Sequence, residues 1–334
     1  MKAPFPWFGG KRRVAPEIWA AFGDVDNYVE PFAGSLAVLL ERPAWHKARV
    51  ETVNDRDQFV ANFWRALAHD PEAVARWADW PVNEADLFAR HLWLVNTGRE
   101  RLTAMDSDPD WYDVQVAGWW VWGICAWIGS GWCSGTGPHT LDTVGQLPHL
   151  GNAGQGVNQP DTTEAFTAGG SGATSNQWTN PLPDLPATYG YLTALAERLR
   201  NVRVCCGDWT RVTTTGALNC GASAGVLLDP PYLGDVRTSD LYAADDHSIA
   251  HAVREWAIAN GDNPRLRIAL CGYESEHIDH MPPAWRMHAY SASRSYGSAA
   301  GGGVNDANRA LERIWFSPHC LSAESQGSLF GDAA

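Results

Sequence analysis

Four consecutive residues, Asp229-Pro230-Pro231-Tyr232, follow the apolar run Ala224–Leu228 and combine an acid, backbone carbonyls placed among prolines, and an aromatic face. That set suits an exocyclic amine on a planar ring. Such a nitrogen delocalises its lone pair into the ring and is a poor nucleophile. A carboxylate and a proline carbonyl together can hold both of its N–H bonds and favour a tetrahedral nitrogen, while the Tyr232 ring stacks on the base. A base inside a duplex is out of reach of such a pocket, so the chemistry requires its extrusion. Tandem proline after a strand also serves as an ordinary turn. The motif therefore needs companions.

Three companions lie near the N-terminus. Glu30-Pro31-Phe32-Ala33-Gly34-Ser35 reads as the turn between a strand and a helix, and small residues there let backbone approach a ligand at a strand end. Asn54-Asp55 closes the next strand, where an acid is placed to accept hydrogen bonds from ribose hydroxyls. Pro6-Trp7-Phe8-Gly9-Gly10-Lys11 offers a glycine pair for close backbone approach and a lysine able to pair with a carboxylate. The phosphate-binding pattern GxxxxGK[ST] is missing, and so is the GxGxxG turn of nicotinamide-dependent oxidoreductases.

These residues need a scaffold. Over 25–40 the pattern predicts strand, turn and apolar helix, and 48–55 a second strand. From Asp57 the period becomes helical: Phe59, Phe63, Trp64 and Leu67, then Val74, Trp77 and Trp80, with breaks at Pro71 and Pro81. A further amphipathic helix is expected over 83–105 and a Trp-rich core helix over 111–128. Residues 134–186 turn to Gly, Asn, Thr, Pro and Ser, a length that points to a mobile or binding loop. Helix resumes at 187–200 and 246–260, with strands at 201–209, 224–228, 267–273 and near 310–318. Strands alternating with helices in both outer thirds predict an α/β fold, an open sheet whose chain is interrupted by an insertion. No internal repeat is found.

Composition sets bounds. The 334 residues, 45% hydrophobic with 18 Trp, predict a well-buried core. The start MKAPFPWFGGKRR lacks the apolar region of a signal peptide, and no apolar run is long enough for a membrane span, so a soluble cytoplasmic protein is expected. Seven cysteines without a CxxC pair suggest reduced thiols, and His319-Cys320 without companions gives no metal site. A net charge of −13 weighs against broad nucleic-acid binding, but placement matters more than the total. Basic residues cluster at Lys11-Arg12-Arg13, Arg99 with Arg101, and Arg198-Arg200-Arg203.

Together the motifs resemble the Dam-type family of adenine-specific DNA methyltransferases, phage-encoded members especially. PWFGGK is similar to the family's N-terminal motif, EPFAGS to its cofactor loop, ND to its ribose-binding acid and DPPY to its catalytic motif. Weaker matches are Gly207-Asp208 and the segment Arg309…Glu312-Arg313…Trp315…Ser317. The resemblance implies a Rossmann-like sheet, S-adenosylmethionine as methyl donor and double-stranded DNA as substrate. It implies a cofactor site built from Trp7, Gly9, Gly10, Lys11, Glu30, Pro31, Phe32, Gly34, Ser35, Asp55 and Asp208, with Lys11 and the glycine pair at the methionine end. Asp55 would take the ribose hydroxyls and Asp208 the cofactor's adenine amine, while Asp229, Pro230, Pro231 and Tyr232 hold the target adenine. The chain departs at Leu36, where the family usually has a further glycine.

On this reading 1–60 and 187–318 form the catalytic core, 61–186 a mostly helical target-recognition insertion, and 319–334 a disordered tail. Within the tail, Gln326, Leu329 and Phe330 resemble the peptide by which bacterial replication and repair proteins dock on the sliding clamp. Two alternatives keep parts of this picture: methylation of cytosine's exocyclic amine on the same fold, and a non-catalytic protein binding DNA or the clamp. Asp at position 229 favours adenine.

Overall fold

Strand β1 (Asn27–Glu30) is buried at every residue, as parallel neighbours on both edges require. Those neighbours are β2 (Val50–Asp55) and β4 (Ala224–Leu228). Beyond β4 come β5 (Leu266–Tyr273), parallel to it, and β7 (Glu312–Phe316), antiparallel to β5. Strand β6 (Arg286–Ala289) pairs antiparallel with β7, and β3 (Val202–Cys206) completes the sheet order β3-β2-β1-β4-β5-β7-β6. The α/β reading is thus borne out, with β6 as a strand the sequence pattern did not announce. Its four residues are exposed or half-buried, so they carry no apolar run.

This is a computed structural model, and it describes residues 1–7, 9–46, 50–108, 110–127, 132–133, 185–231, 243–290 and 312–322. The stretch 134–184, the tail from 323 and Tyr232 lie outside the described residues. Two units are distinguished: Met1–Phe8 with Asp57–Cys206, and Gly9–Arg56 with Gly207–Ala334. Among the described residues no helix is long and apolar enough to cross a membrane. Cys133, Cys271 and Cys320 are buried, and Cys125 and Cys220 half-buried, as free thiols.

In the second unit, helix α1 (Ala15–Phe22) starts on a proline in its first turn and buries Ile18, Trp19 and Phe22. Trp19 packs on Tyr28 of β1 with centroids 4.8 Å apart, and its Nε1 donates to the Val38 carbonyl at 2.7 Å. The helix expected after Gly34 is absent. Bends and a single 3-10 turn, Leu39–Glu41, take its place. The cause is local: Gly34 and Leu36 adopt φ of 45° and 56°, in the left-handed region that a right-handed helix cannot contain.

The first unit is mostly helical, with β3 as its strand. Asp57, Asp70, Asn83 and Asp113 each accept a backbone N–H at the start of α2 (Gln58–His69), α3 (Pro71–Ala78), α4 (Glu84–Trp93) and α6 (Val114–Ala126). The helix expected over 83–105 is present but changes pitch: α4 runs into a π turn (Leu94–Gly98), then α5 (Arg99–Leu102) and a 3-10 turn. The unit also holds α7 (Leu185–Leu199). Helix α6 crosses α3 at Gly118, where a Cβ would lie 2.3 Å from the Trp77 Cβ, so only glycine allows that approach.

Leu36 is fully buried despite its backbone. A left-handed φ costs an ordinary residue about 1–2 kcal/mol, whereas emptying a buried leucine site costs about 3–5 kcal/mol. The packing effect wins. Leu36→Gly should therefore lower stability by about 2 kcal/mol in denaturant melts; a more stable variant would contradict the packing account.

Candidate active site

The order of the sheet creates one special place. From β1 the chain passes to β2 on one side, while β4 lies on the other and leads toward β5. At such a switch point the carboxyl ends of two adjacent parallel strands leave a crevice between their loops. The Pro31–Ser35 loop leaves the end of β1 and Asp229 leaves the end of β4, so the two strongest sequence signals meet at one sheet edge. Asn54 and Asp55 end the neighbouring β2.

Lys11, at the start of the 3-10 turn Lys11–Val14, is only 3% exposed. Its Nζ lies 3.1 Å from Asp229 Oδ1 and 3.7 Å from Glu312 Oε2, and donates to the Gly9 carbonyl at 2.6 Å. Gly9 supplies that carbonyl from a left-handed backbone, φ 72°. Burial alone pulls the ammonium's pKa down. Asp229, with Cys271 and Glu312, more than offsets it, so the pKa ends above the ordinary lysine value and Lys11 stays charged. Asp229 keeps its side chain 22% exposed, reachable from outside while anchored from behind.

Tyr290, following β6, donates its hydroxyl to Glu312 Oε2. Burial raises the phenol's pKa, with Cys271 and Glu312 adding to it, so it remains a donor. Burial likewise pushes the Cys271 thiol well up, with Asp229 next in effect. Glu30 is buried and accepts the Tyr28 hydroxyl at 3.0 Å. Its carboxyl is raised well above the usual range, chiefly by burial. The Tyr28 bond opposes this, and Asp229 and Asp55 reinforce it.

The loop after β1 is pinned to the end of β2. Gly34 N–H donates to Asp55 Oδ2 at 2.9 Å and Ala33 N–H to the Asn54 carbonyl at 2.9 Å. Asn54 Nδ2 donates to the carbonyls of Pro31 and Gly207, each at 3.0 Å. Asp55, expected to face a ribose, thus also anchors the loop. Asp208 caps the 3-10 turn Trp209–Val212, accepting from Thr210 N–H and hydroxyl, which holds its carboxyl below the usual range. Phe32 stacks beside Trp209 at 6.3 Å.

Of the residues singled out from sequence, Gly9, Lys11, Glu30, Pro31, Phe32, Gly34, Asp55, Asp208 and Asp229 belong to linked contacts in the second unit. Gly10 precedes Lys11, Ser35 is buried in the loop, Pro230 is buried and Pro231 exposed. Trp7 belongs to the first unit, where it packs edge-on to Phe5 at 5.8 Å. The stacking role expected of Tyr232 falls outside the described residues. Tyr290 and Cys271 escaped the sequence reading. Cys271 sits inside the apolar run of β5 like any packing residue, and Tyr290 stands in no motif.

A buried carboxyl with a raised folded-state pKa binds its proton more tightly in the folded chain. Its contribution to stability is full below the ordinary glutamate value of 4.5 and is lost as pH rises toward the folded-state value. Glu30→Gln keeps an acceptor for Tyr28 and removes the titration. The variant's melting temperature should exceed that of the parent increasingly from pH 5 to pH 8; a gap independent of pH would contradict the assignment.

The family model described as D12 class N6 adenine-specific DNA methyltransferase matches residues 7–91. That stretch carries Trp7 to Lys11, the loop after β1 and Asp55, and ends before Asp229. No curated protein matches the chain closely enough to count. The match falls on the segments that build the edge around β1 and β2, on a mostly parallel seven-stranded sheet. Over residues 7–91 the chain is therefore similar to the D12 class of N6 adenine-specific DNA methyltransferases.

Proposed function

We propose that the carboxyl edge of β1 and β4 is where this methyltransferase holds both its cofactor and an extruded adenine. One observation carries the reading: Asp229 is fixed by buried Lys11 at the end of β4, beside the loop that follows β1, yet stays partly open to solvent. The residues at this edge fit S-adenosylmethionine. Carboxylates at Asp55 and Asp208 suit ribose hydroxyls and an adenine amine, the Gly34 turn suits close backbone approach, and the Phe32–Trp209 pair offers aromatic surface. When bound, the cofactor supplies a methyl group on a positively charged sulfur.

The side chains have separate tasks. Asp229 and the Pro230 carbonyl accept the two N–H bonds of the adenine amine, drawing its lone pair out of conjugation. Tyr232 stacks on the base. As positive charge grows on the nitrogen, the Asp229 carboxylate stabilises it and then takes up the proton the nitrogen must lose. Lys11 keeps Asp229 in place, assisted by Glu312 and Tyr290 behind it. Most of the rate gain is positioning.

Residues 61–186 are proposed as the target-recognition insertion between the core segments 1–60 and 187–318. On the resemblance of the motifs taken together to phage-encoded members of the Dam-type family, we propose a phage-type enzyme working on duplex DNA in the cytoplasm of a host. Asp229→Ala should reduce methylation of duplex DNA at least about 100-fold while changing affinity for S-adenosylmethionine only a few-fold. Near-normal turnover would refute the role given to Asp229.

The tail residues Gln326, Leu329 and Phe330 support a second proposal, docking on the bacterial sliding clamp through two apolar anchors and a glutamine. Full-length protein should capture purified clamp, and deletion of residues 324–334 should abolish capture. Equal capture by both forms would dismiss the idea.

A further inference from the structure

Strand β5 runs further toward the catalytic edge than β4. Leu228, the last residue of β4, pairs with Leu270, and β5 continues through Cys271 and Gly272 to Tyr273. Two glycines reveal which way the side chains point. A Cβ on Gly225 of β4 would lie 3.0 Å from the Phe22 ring, so Gly225, Leu227 and Asp229 turn toward α1. A Cβ on Gly272 would lie 2.3 Å from His277 Nε2, on the opposite face. Cys271 and Tyr273 alternate with Gly272 and therefore turn toward α1, with Asp229. Arg267, on that same set of β5, accordingly donates to the Phe22 carbonyl. Tyr273 is also the direct antiparallel partner of Glu312, and side chains of such a pair stand on one face with Cβ atoms roughly 4.5–5.5 Å apart. The Tyr273 side chain thus shares its side of the sheet with Lys11, Asp229 and Glu312. It stands at the rim of that group, half-buried where Cys271 is fully buried.

The backbone that carries this ring is held from behind. Tyr273 N–H donates to Glu276 Oε2 at 3.1 Å, in the single helical turn Glu274–His277 that follows β5. Arg254 Nη1 in turn donates to the Glu276 carbonyl at 2.7 Å. The side chains of Glu276, His277 and Arg254 are buried, and the His277 ring packs edge-on to Trp315 of β7 at 5.0 Å. A ring mounted on so constrained a strand end gives up little further freedom when a ligand packs against it.

We propose that Tyr273 forms the aromatic wall of the adenine pocket on the side away from the cofactor. This deepens the methyltransferase reading and rests on it for the identity of the ligand. The strand order carries the choice of side. The loop assigned to S-adenosylmethionine leaves β1, on one flank of β4, and Tyr273 closes β5, on the other. An amine held by Asp229 at the end of β4 receives its methyl group from the β1 flank, and the ring that bears the amine lies toward β5. There the face of Tyr273 packs against it, and the phenol hydroxyl takes no part.

The test uses the full-length chain, plasmid DNA free of methylated adenine and tritiated S-adenosylmethionine. Tyr273→Ala should lower kcat/KM for DNA roughly tenfold to a hundredfold while the Kd for S-adenosylmethionine stays within about twofold. Tyr273→Phe, which keeps the ring, should recover most of that loss. A second measurement needs no variant: nitration of the parent chain by tetranitromethane, read at Tyr273 by peptide mass spectrometry. DNA together with S-adenosylhomocysteine should protect Tyr273, and S-adenosylhomocysteine alone should not. Unimpaired turnover in Tyr273→Ala, a parallel loss of cofactor affinity, a Tyr273→Phe as poor as Tyr273→Ala, or protection by S-adenosylhomocysteine alone would each overturn the proposal. Adenine methylation by the parent is scored in the same assay. An active parent with an unimpaired Tyr273→Ala defeats this inference alone, whereas a parent that methylates no adenine defeats the reading beneath it as well.

Discussion

A lysine ammonium almost sealed from water, between Asp229 and Glu312, is the interaction on which the candidate active site depends. Its burial is unfavourable by itself and is offset chiefly by Asp229, with Cys271 and Glu312 adding to it, while the same nitrogen donates to the Gly9 carbonyl. Breaking a buried ion pair by deleting one partner typically costs about 3–5 kcal/mol, because the remaining charge is stranded. The N-terminal turn, the end of β4 and the start of β7 are therefore tied together by one charge. The same arrangement leaves the Asp229 side chain partly exposed while Lys11 holds one of its oxygens.

Around that cluster, the sheet does the placing. Parallel strands of matched register bring the loop after β1 and the residues after β4 to the same edge, and the antiparallel β7 returns Glu312 to it. Backbone bonds from Gly34, Ala33 and Gly207 to the end of β2 hold the loop without a helix behind it. Positioning by rigid strand ends is what a methyl transfer with no strong base needs, since alignment supplies most of the rate.

Much of this was legible beforehand, and the reasons are specific. Asp229, Asp55 and Lys11 stand in short motifs whose residue types admit few chemistries, and β4 and β5 are continuous apolar runs. The helix expected after Gly34 was not, because apolar residues at 36–40 fit a helical period while the left-handed φ at Leu36 is invisible in composition. Tyr290 acts through a partner far away in sequence, so no spacing could announce it. The partners of the basic clusters were equally illegible. Arg12 pairs with Glu41, Arg101 with Asp113 and Arg200 with Glu197, while Arg99 donates to the Cys133 carbonyl, contacts that clustering in the sequence does not announce.

The most direct measurement is nucleoside mass spectrometry of duplex DNA incubated with the protein and a deuterated-methyl S-adenosylmethionine. A pocket that grips an adenine amine through Asp229 predicts label in N6-methyladenine and in no other nucleoside. Label in N4-methylcytosine, or none in DNA while the cofactor binds, would contradict it.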